Sequence, residues 1–261
     1  MGTPKNTVER AASEHVRRQW LLRVEAEYRS AVLTQELTLW LMQAGASPDL
    51  IHDGLRIVED ELAHAELSMA TYQTAGGVGG PTLARETLSL PRDPREPLEH
   101  AILRVGVDVF CLGETVAVPL FKNLREGCTV PVARRALDRI LRDEVRHRAF
   151  GWTLLEWLLA SPDAPTLRGL IARELPQWFG RILRCYAPTQ AIGLDAVAEA
   201  DRAWGLMAPA RYAAVVARTW ERDWRPRFAR LAIDAEPAWR SALSAARIEP
   251  QGGREAPTGA R

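Results

Sequence analysis

The sequence predicts an all-α protein, a four-helix bundle with one long crossover connection that is followed by additional C-terminal helices. Apolar residues recur at helical spacing along nearly all of the 261 residues, and no alternating, strand-like segment persists. Turn signals divide the first 160 residues into four long segments with short, long and short connections. Short connections produce antiparallel hairpins, and the long one allows the second hairpin to cross over the first.

The first hairpin is predicted from its cap residues. One long helix covers residues 13–44 and ends at Gly45. Ser47 is a suitable N-cap, and Pro48 suits the first position of the next helix. That second helix is expected from about residue 49 to residue 74, where it ends in the glycine-rich stretch TAGGVGGP.

The second hairpin follows a proline-rich, irregular stretch that ends at residue 97. A third helix is predicted over residues 98–125, ending near Gly127. Thr129 is predicted to cap the fourth helix, with Pro131 in its first turn, and this helix runs to about residue 160. The bundle therefore spans residues 13–160.

The remaining chain divides into a helical extension and a tail. Residues 165–246 are rich in apolar and aromatic side chains at helical spacing and are predicted to pack on the bundle as C-terminal helices. Residues 247–261 contain no apolar anchor and are predicted to be disordered. The predicted breaks or kinks in the extension are Pro188, Gly205, Pro209, Pro226 and Pro237.

Composition excludes several classes of protein. Apolar residues make up 47% of the chain, enough for a sizeable core, and the net charge of +1 gives no reason to expect nucleic acid or an anionic membrane as a partner. The three cysteines form no CxxC pair and leave an odd thiol in any disulfide scheme. No signal peptide or apolar run of transmembrane length is present, so we expect a cytoplasmic protein.

A glutamate and a histidine three residues apart occur twice, as Glu61–His64 and Glu144–His147. Residues at this spacing share one helix face, so both side chains of a pair can reach one ion. Each pair lies in the middle of the second helix of a hairpin, which favours paired metal ligands. The alternative is two ordinary pairs of solvated side chains on a helical bundle.

A metal site of this kind also needs one carboxylate from the preceding helix of each hairpin. Glu114 lies among apolar neighbours, where an unpaired charge is costly, and it is preferred over the shorter Asp108. In the first hairpin, reflection about a turn near residue 46 places Glu27 at the level of Glu61, with Glu25 as the rival.

Four carboxylates and two imidazoles suit two iron ions, and manganese is also possible. On this constellation, residues 15–160 resemble the ferritin-like di-iron carboxylate superfamily, with O2 as the implied co-substrate. In relatives with a DExxH motif, the aspartate contacts the opposite histidine, which would pair Asp60 with His147 and Asp143 with His64; the alternative is a solvent-facing aspartate. The positions that match the metal ligands are Glu27, Glu61, His64, Glu114, Glu144 and His147.

In motif spacing, the chain is most similar to the p-aminobenzoate N-oxygenase type. Those enzymes carry one further histidine ligand, and Ile140 occupies that position here. The expected function is therefore a non-haem di-iron oxygenase or oxidase with a small-molecule substrate and an external electron donor. Iron binding as a ferroxidase, or a non-catalytic scaffold role, is the alternative, and a homodimer is an option.

The C-terminal helices are expected to separate these alternatives. If they close one side of the metal cavity, they form a substrate pocket, as an oxygenase requires. If they extend away and form only a dimer surface, storage or scaffolding is favoured. Glu174, Arg181 and Tyr186 are the candidate polar contacts for a substrate.

Overall fold

The protein is an all-α bundle in a computed structural model that describes residues 12–187 and 196–248. Its first four helices are α1 (Glu14–Gln43), α2 (Pro48–Thr74), α3 (residues 98–126) and α4 (Pro131–Leu159). Within the described residues there is no strand, and no helix is long and apolar enough to cross a membrane. The predicted all-α class is therefore confirmed.

Helices α1 and α2 form the first hairpin, and their caps follow the sequence prediction. The Ser13 hydroxyl accepts a hydrogen bond from the Val16 amide, and the Ser47 hydroxyl accepts one from Leu50. Gly45 follows the end of α1 and has a φ of +72°. This left-handed conformation costs little free energy in a residue that has no Cβ. The two helices are antiparallel, because Thr38, Ser30 and Glu27 of α1 lie against positions 54, 61 and 64 of α2 in that order.

Helix α3 changes its winding twice along its length. It is α-helical over Leu98–Val105, π-helical over Gly106–Glu114 and α-helical again over Thr115–Glu126. The sequence did not predict the π-helical part, which carries both Asp108 and Glu114. A single 3₁₀ turn, Arg85–Thr87, interrupts the long connection before α3.

Helix α4 begins one residue later than Thr129 would require, so the predicted cap is wrong. Val130 is the N-cap residue, and it provides no side-chain hydrogen bond. Pro131 occupies the first turn, where its missing N–H is tolerated. The free amides of Thr129 and Val130 instead donate to the Ala203 carbonyl, which ties this turn to the C-terminal part of the chain.

The described C-terminal part contacts the helices of the bundle. It contains α5 (Ala164–Tyr186), the short α6 (Glu199–Arg202), α7 (residues 209–230, π-helical over Trp220–Trp224) and α8 (Glu236–Ile248). Helix α5 contacts α3 and α4, and α7 contacts the second half of α3. Pro188 lies outside the described residues, as does the predicted disordered tail apart from the end of α8.

An aromatic core fixes this packing. Trp152 of α4 meets Phe228 of α7 edge to face, with ring centroids 5.0 Å apart. Phe179 of α5 contacts Phe228 in turn, and Trp220 stacks on Trp239 at 5.0 Å. Such pairs each contribute about 0.5–1.5 kcal/mol beyond the area that they bury. The C-terminal helices are therefore part of the core that surrounds α3 and α4.

Candidate metal centre

The six residues expected as metal ligands converge inside the bundle. They come from four different helices, and all are buried, with the two histidines fully so. Because α1 is antiparallel to α2, and α2 is antiparallel to α4, the ligand residues on these helices lie at the same height in the bundle. We call this set the carboxylate–histidine cluster: Glu27 of α1, Glu61 and His64 of α2, Glu114 of α3, and Glu144 and His147 of α4.

One half of the cluster surrounds His64. Its Nδ1 atom lies 3.7 Å from Glu27 Oε2 and 3.5 Å from Glu61 Oε2. The ligand atoms of these three residues all lie within 4.8 Å of one another, close enough to hold one ion. Glu25, the rival first-helix residue, is only partly buried and is not in this group.

The other half surrounds His147. Its Nδ1 atom lies 3.5 Å from Glu61 Oε1, 4.0 Å from Glu114 Oε2 and 3.7 Å from Glu144 Oε2. Glu61, Glu114 and His147 form a second group within 4.8 Å, whereas Glu144 falls outside that group. Asp108, the rival to Glu114, forms an ion pair with Arg181 instead, at 2.6 Å.

Glu61 belongs to both groups and lies between the two imidazoles. Its two carboxylate oxygens face different histidines, whose ring centroids are 5.7 Å apart. The Ser30 hydroxyl donates a 2.8 Å hydrogen bond to Glu61 Oε1 and fixes this orientation. Sequence reasoning missed Ser30, since a serine on a helix interior carries no distinguishing signal.

Several polar atoms at the centre have no hydrogen-bond partner although they are buried. Nearly all buried polar groups in proteins are satisfied, so such a concentration needs an explanation. Each of these atoms lies near a ligand atom of another residue in the cluster, and all are of types that bind transition metals. They are Glu61 Oε2, His64 Nδ1, Glu144 Oε2 and His147 Nδ1. The donor set therefore fits a bound metal.

The charge balance gives the same result. Burial raises the pKa of Glu61 well above its ordinary value, and the nearby Glu27 carboxylate raises it further. Burial likewise raises the pKa of Glu144, with Glu114 as the next cause. Burial lowers the pKa of His64, but the two adjoining glutamate carboxylates, 3.5 and 3.7 Å from Nδ1, more than offset this and raise that pKa to about 10. These shifts show that the cluster favours added positive charge, which a bound cation would also supply.

An outer layer of aspartates orients the histidines. Asp143 Oδ2 lies 3.2 Å from His64 Nε2, and Asp60 Oδ2 lies 3.4 Å from His147 Nε2. This is the crossed pairing that the resemblance implied. An aspartate that accepts from Nε2–H leaves Nδ1 as the ring nitrogen that faces the glutamates.

Three arginines of α4 cover these aspartates from the outside. Arg146 Nη2 donates to Asp60 at 2.7 Å and to Asp143 at 3.0 Å, and Arg139 contacts the same two aspartates. Arg142 donates to Asp143 at 3.2 Å. Burial acts to raise the pKa of Asp60, but hydrogen bonds with His147 and Arg146 outweigh it and hold that pKa below its ordinary value. Both aspartates are therefore anionic acceptors, rather than solvated surface groups.

Comparison with known protein families, with curated proteins and with solved structures found no match. The class of protein is thus defined by its own fold and site. It is an all-α bundle whose interior holds an acidic and histidine-containing cluster that can bind metal.

Proposed function

We propose that the protein is a non-haem di-iron, O2-dependent oxidoreductase that acts on a small molecule. The observation that carries this proposal is the shared position of Glu61 between two groups of ligand atoms, each compact enough for one ion. Glu27 and His64 would complete the first ion site. Glu114, His147 and Glu144 would complete the second. Manganese uses the same donors, so iron is the proposal and manganese the nearest competitor.

When bound, a pair of reduced irons supplies electrons for the activation of O2. The protein's own contribution is to hold the ligands, to exclude water and to leave a place for the substrate. Here Asp60 and Asp143 set which nitrogen of each histidine is available. Ser30 holds the bridging carboxylate in place.

The position of the C-terminal helices supports an oxygenase over a storage protein. Tyr186, at the end of α5, lies close enough to Glu114 and Glu144 for their charges to add to the effect of burial, which raises the pKa of the phenol. It is therefore a candidate for contact with a substrate beside the metals. Helix α5 also contacts the π-helical segment that ends at Glu114, and a storage protein would need no such cover.

The other two candidate contacts have a different role. Glu174 of α5 binds Arg104 of α3 at 3.1 Å, and Arg181 of α5 binds Asp108 of α3 at 2.6 Å. Both side chains fasten the extension to the helix that carries Glu114. They therefore position the cover, and we do not assign them to the substrate.

Electrons must come from another protein or a small reductant, because the chain has no CxxC pairs for a rubredoxin-type centre. The proposal therefore includes an external electron donor. Two surface cavities lie at the connection between α7 and α8, and the larger, about 440 Å³, also borders α5; neither is lined by a residue of the cluster. They have no place in the proposed reaction.

The test is anaerobic reconstitution with Fe(II), followed by metal analysis and by ultraviolet–visible spectroscopy after O2 is admitted. We expect about two irons per chain and a transient absorption that decays as an added reductant is consumed. The Glu61→Ala, Glu144→Ala double variant should lose both. Two irons retained in that variant would refute the metal assignment, and mineral growth beyond two irons would favour the ferroxidase alternative.

A further inference from the structure

Two arginines share one aspartate at the surface where α4 and α7 meet. Asp223 Oδ1 of α7 lies 3.6 Å from Arg148 Nη1 of α4 and 3.9 Å from Arg227 Nε of α7. Both distances are longer than a hydrogen bond. Within the described part of the chain, neither guanidinium forms an ion pair with any other carboxylate. One carboxylate oxygen therefore lies between two cations and is hydrogen-bonded to neither.

These side chains are largely removed from solvent. The exposed fraction is 24% for the side chain of each arginine and 26% for that of Asp223. A guanidinium that leaves water without finding acceptors loses solvation free energy. Other ion pairs of this protein are closer, such as that of Arg181 with Asp108 at 2.6 Å. The arrangement at Asp223 therefore leaves guanidinium donors that a ligand could satisfy.

Trp152 of α4 holds the Arg227 guanidinium in position. The Cζ atom of Arg227 lies 5.4 Å from the centroid of the Trp152 ring, a cation–π contact that uses none of the five N–H donors. Trp152 is itself fixed, because its indole N–H donates to the Thr115 hydroxyl at 3.0 Å and its ring packs against Phe228. The guanidinium is thus oriented before a ligand binds, which lowers the entropy that binding costs.

A third arginine adds to the positive charge. Arg230 follows Arg227 by three residues, so the two side chains lie on one face of α7. Burial lowers the pKa of Arg227, and the charges of Arg148 and Arg230 lower it further, whereas Asp223 acts in the opposite direction. Three arginines and one aspartate leave an excess of two positive charges at this place.

We propose that Arg148, Arg227 and Arg230 bind a phosphate group, either that of a small phosphate monoester or free phosphate. A phosphate group carries about −1.5 to −2 charges at pH 7 and several acceptor oxygens, which matches the excess charge and the free donors. Guanidinium groups pair with phosphate through parallel N–H···O bonds. The assignment goes beyond the proposed function and is independent of it, because no residue of the carboxylate–histidine cluster belongs to this site.

A single carboxylate or a nucleic acid fits the site less well. A carboxylate, like one phosphodiester unit, brings only one negative charge and would leave one of the two excess positive charges uncompensated. A nucleic acid also binds along an extended run of basic groups, and the chain as a whole has a net charge of only +1. The compact cluster therefore favours one doubly charged group.

The experiment measures the binding of four probes by calorimetry. The full chain is used without added metal, so that phosphate has no metal ion to bind. The probes are inorganic phosphate, phenyl phosphate, phenyl sulfate, which has a similar shape but one charge, and glutarate, which carries two charges on separate carboxylates. The variants are Arg148→Gln, Arg227→Gln and Asp223→Asn. Arg218→Gln is the matched control, because Arg218 is exposed on the same helix and is not among the charges that act on Arg227.

We expect a phosphate probe to bind, and Arg148→Gln and Arg227→Gln each to weaken its binding by about 10- to 100-fold, the range for charge-assisted hydrogen bonds. Asp223→Asn should tighten binding, because it removes a negative charge that competes with the ligand. Arg218→Gln should bind like the wild type, and phenyl sulfate and glutarate should bind more weakly. Tighter binding of phenyl phosphate than of inorganic phosphate would support a monoester as the ligand, and the reverse order would support free phosphate.

Several outcomes would overturn the assignment. These are no binding of either phosphate probe, wild-type binding by both Arg148→Gln and Arg227→Gln, or a loss of the same size in Arg218→Gln. Weaker binding by Asp223→Asn, or phenyl sulfate or glutarate bound as tightly as phenyl phosphate, would also contradict it. Circular dichroism verifies the fold of each variant. If Arg227→Gln does not fold, Arg148→Gln decides the result, because its guanidinium does not cover Trp152.

Discussion

Glu61 of the first hairpin reaches His147 of the second, with Oε1 of the glutamate 3.5 Å from Nδ1 of the histidine. The other oxygen of the same carboxylate lies 3.5 Å from His64 Nδ1. One side chain therefore joins the two hairpins through a contact between residues that are 86 apart along the chain. If each histidine holds an ion, Glu61 is the ligand that the two ions share.

Glu61→Gln should therefore weaken both metal sites. The amide is nearly the same size as the carboxylate, but it cannot supply two anionic oxygens to two cations. We expect metal content to fall from about two to well below one per chain at metal concentrations that saturate the wild type. Glu27→Gln should weaken only the His64 side and leave about one. Elemental analysis after dialysis measures both.

Glu66→Gln is the control for that comparison, because Glu66 is exposed on the same helix. It should bind two ions like the wild type. If Glu61→Gln also keeps two ions, Glu61 is not a shared ligand, and the cluster does not form a coupled pair of sites.

Asp143→Asn should lower metal affinity by about 10- to 100-fold, the usual effect of changes behind a metal-bound histidine. The asparagine amide can present its NH2 group to His64 Nε2–H, which would then lack an acceptor. The substitution also removes the negative charge of the carboxylate that three arginines contact. The fold should be kept, as judged by circular dichroism. Competition with a coloured chelator measures the affinity.

Asp138→Asn is the matched control, since Asp138 is an exposed aspartate of the same helix and pairs only with surface arginines. Equal affinities for Asp143→Asn and Asp138→Asn would show that the outer aspartate does not act on the metal through His64.

Much of the fold was predictable because its signals are local. The end of α1 is marked by Gly45, and the start of α2 is marked by Ser47 followed by Pro48. These signals act without reference to the rest of the chain. The choice of Glu27 over Glu25 followed from reflection of α1 onto α2 about the turn near residue 46, which needs only the position of that turn. The crossed pairing of the aspartates was instead implied by the resemblance to relatives with a DExxH motif.

The features that were missed depend on contacts between distant segments. The π-helical winding of Gly106–Glu114 has no local signal, and the close approach of Gly151 to that segment appears only in three dimensions. Thr129 was predicted as a cap from its residue type, but the Ala203 carbonyl satisfies its amide from elsewhere in the chain.

Metal binding should release protons. In the metal-free protein, His64 has a pKa of about 10 and therefore holds a second ring proton at neutral pH, and the pKa of Glu61 is raised well above its ordinary value. A metal ion must displace the His64 proton, and its apparent affinity should therefore rise with increasing pH and fall as pH decreases. Calorimetry with Mn(II) at pH 7.5 in buffers of different ionisation enthalpy counts the protons.

We expect at least one proton, that of His64, to be released per chain in that titration. A binding enthalpy that does not vary with the buffer would mean that the cluster is already deprotonated, in conflict with the charge balance described above.

Gly151→Ala should loosen the half of the site that contains Glu114. A Cβ atom at residue 151 of α4 would lie 2.6 Å from Phe110 Cβ, 2.7 Å from the Phe110 carbonyl carbon and 2.9 Å from the Cys111 amide nitrogen. Two of these are backbone atoms of the π-helical segment, which cannot move aside without shifting the residues that follow them. Glu114 ends that segment and would shift with it.

Overpacking of this kind costs about 1–3 kcal/mol of the free energy of unfolding. Gly169→Ala is the matched control, because a Cβ on that helical glycine of α5 would meet only the Arg173 side chain, at 3.8 Å. There the same substitution should stabilise the metal-free protein by about 0.4–1 kcal/mol, since alanine reduces the entropy of the unfolded chain. Urea denaturation measures both, and metal analysis should show a loss of about one ion for Gly151→Ala alone. Equal stability and full metal content in the two variants would mean that α4 and the π-helical segment can separate without disturbing Glu114.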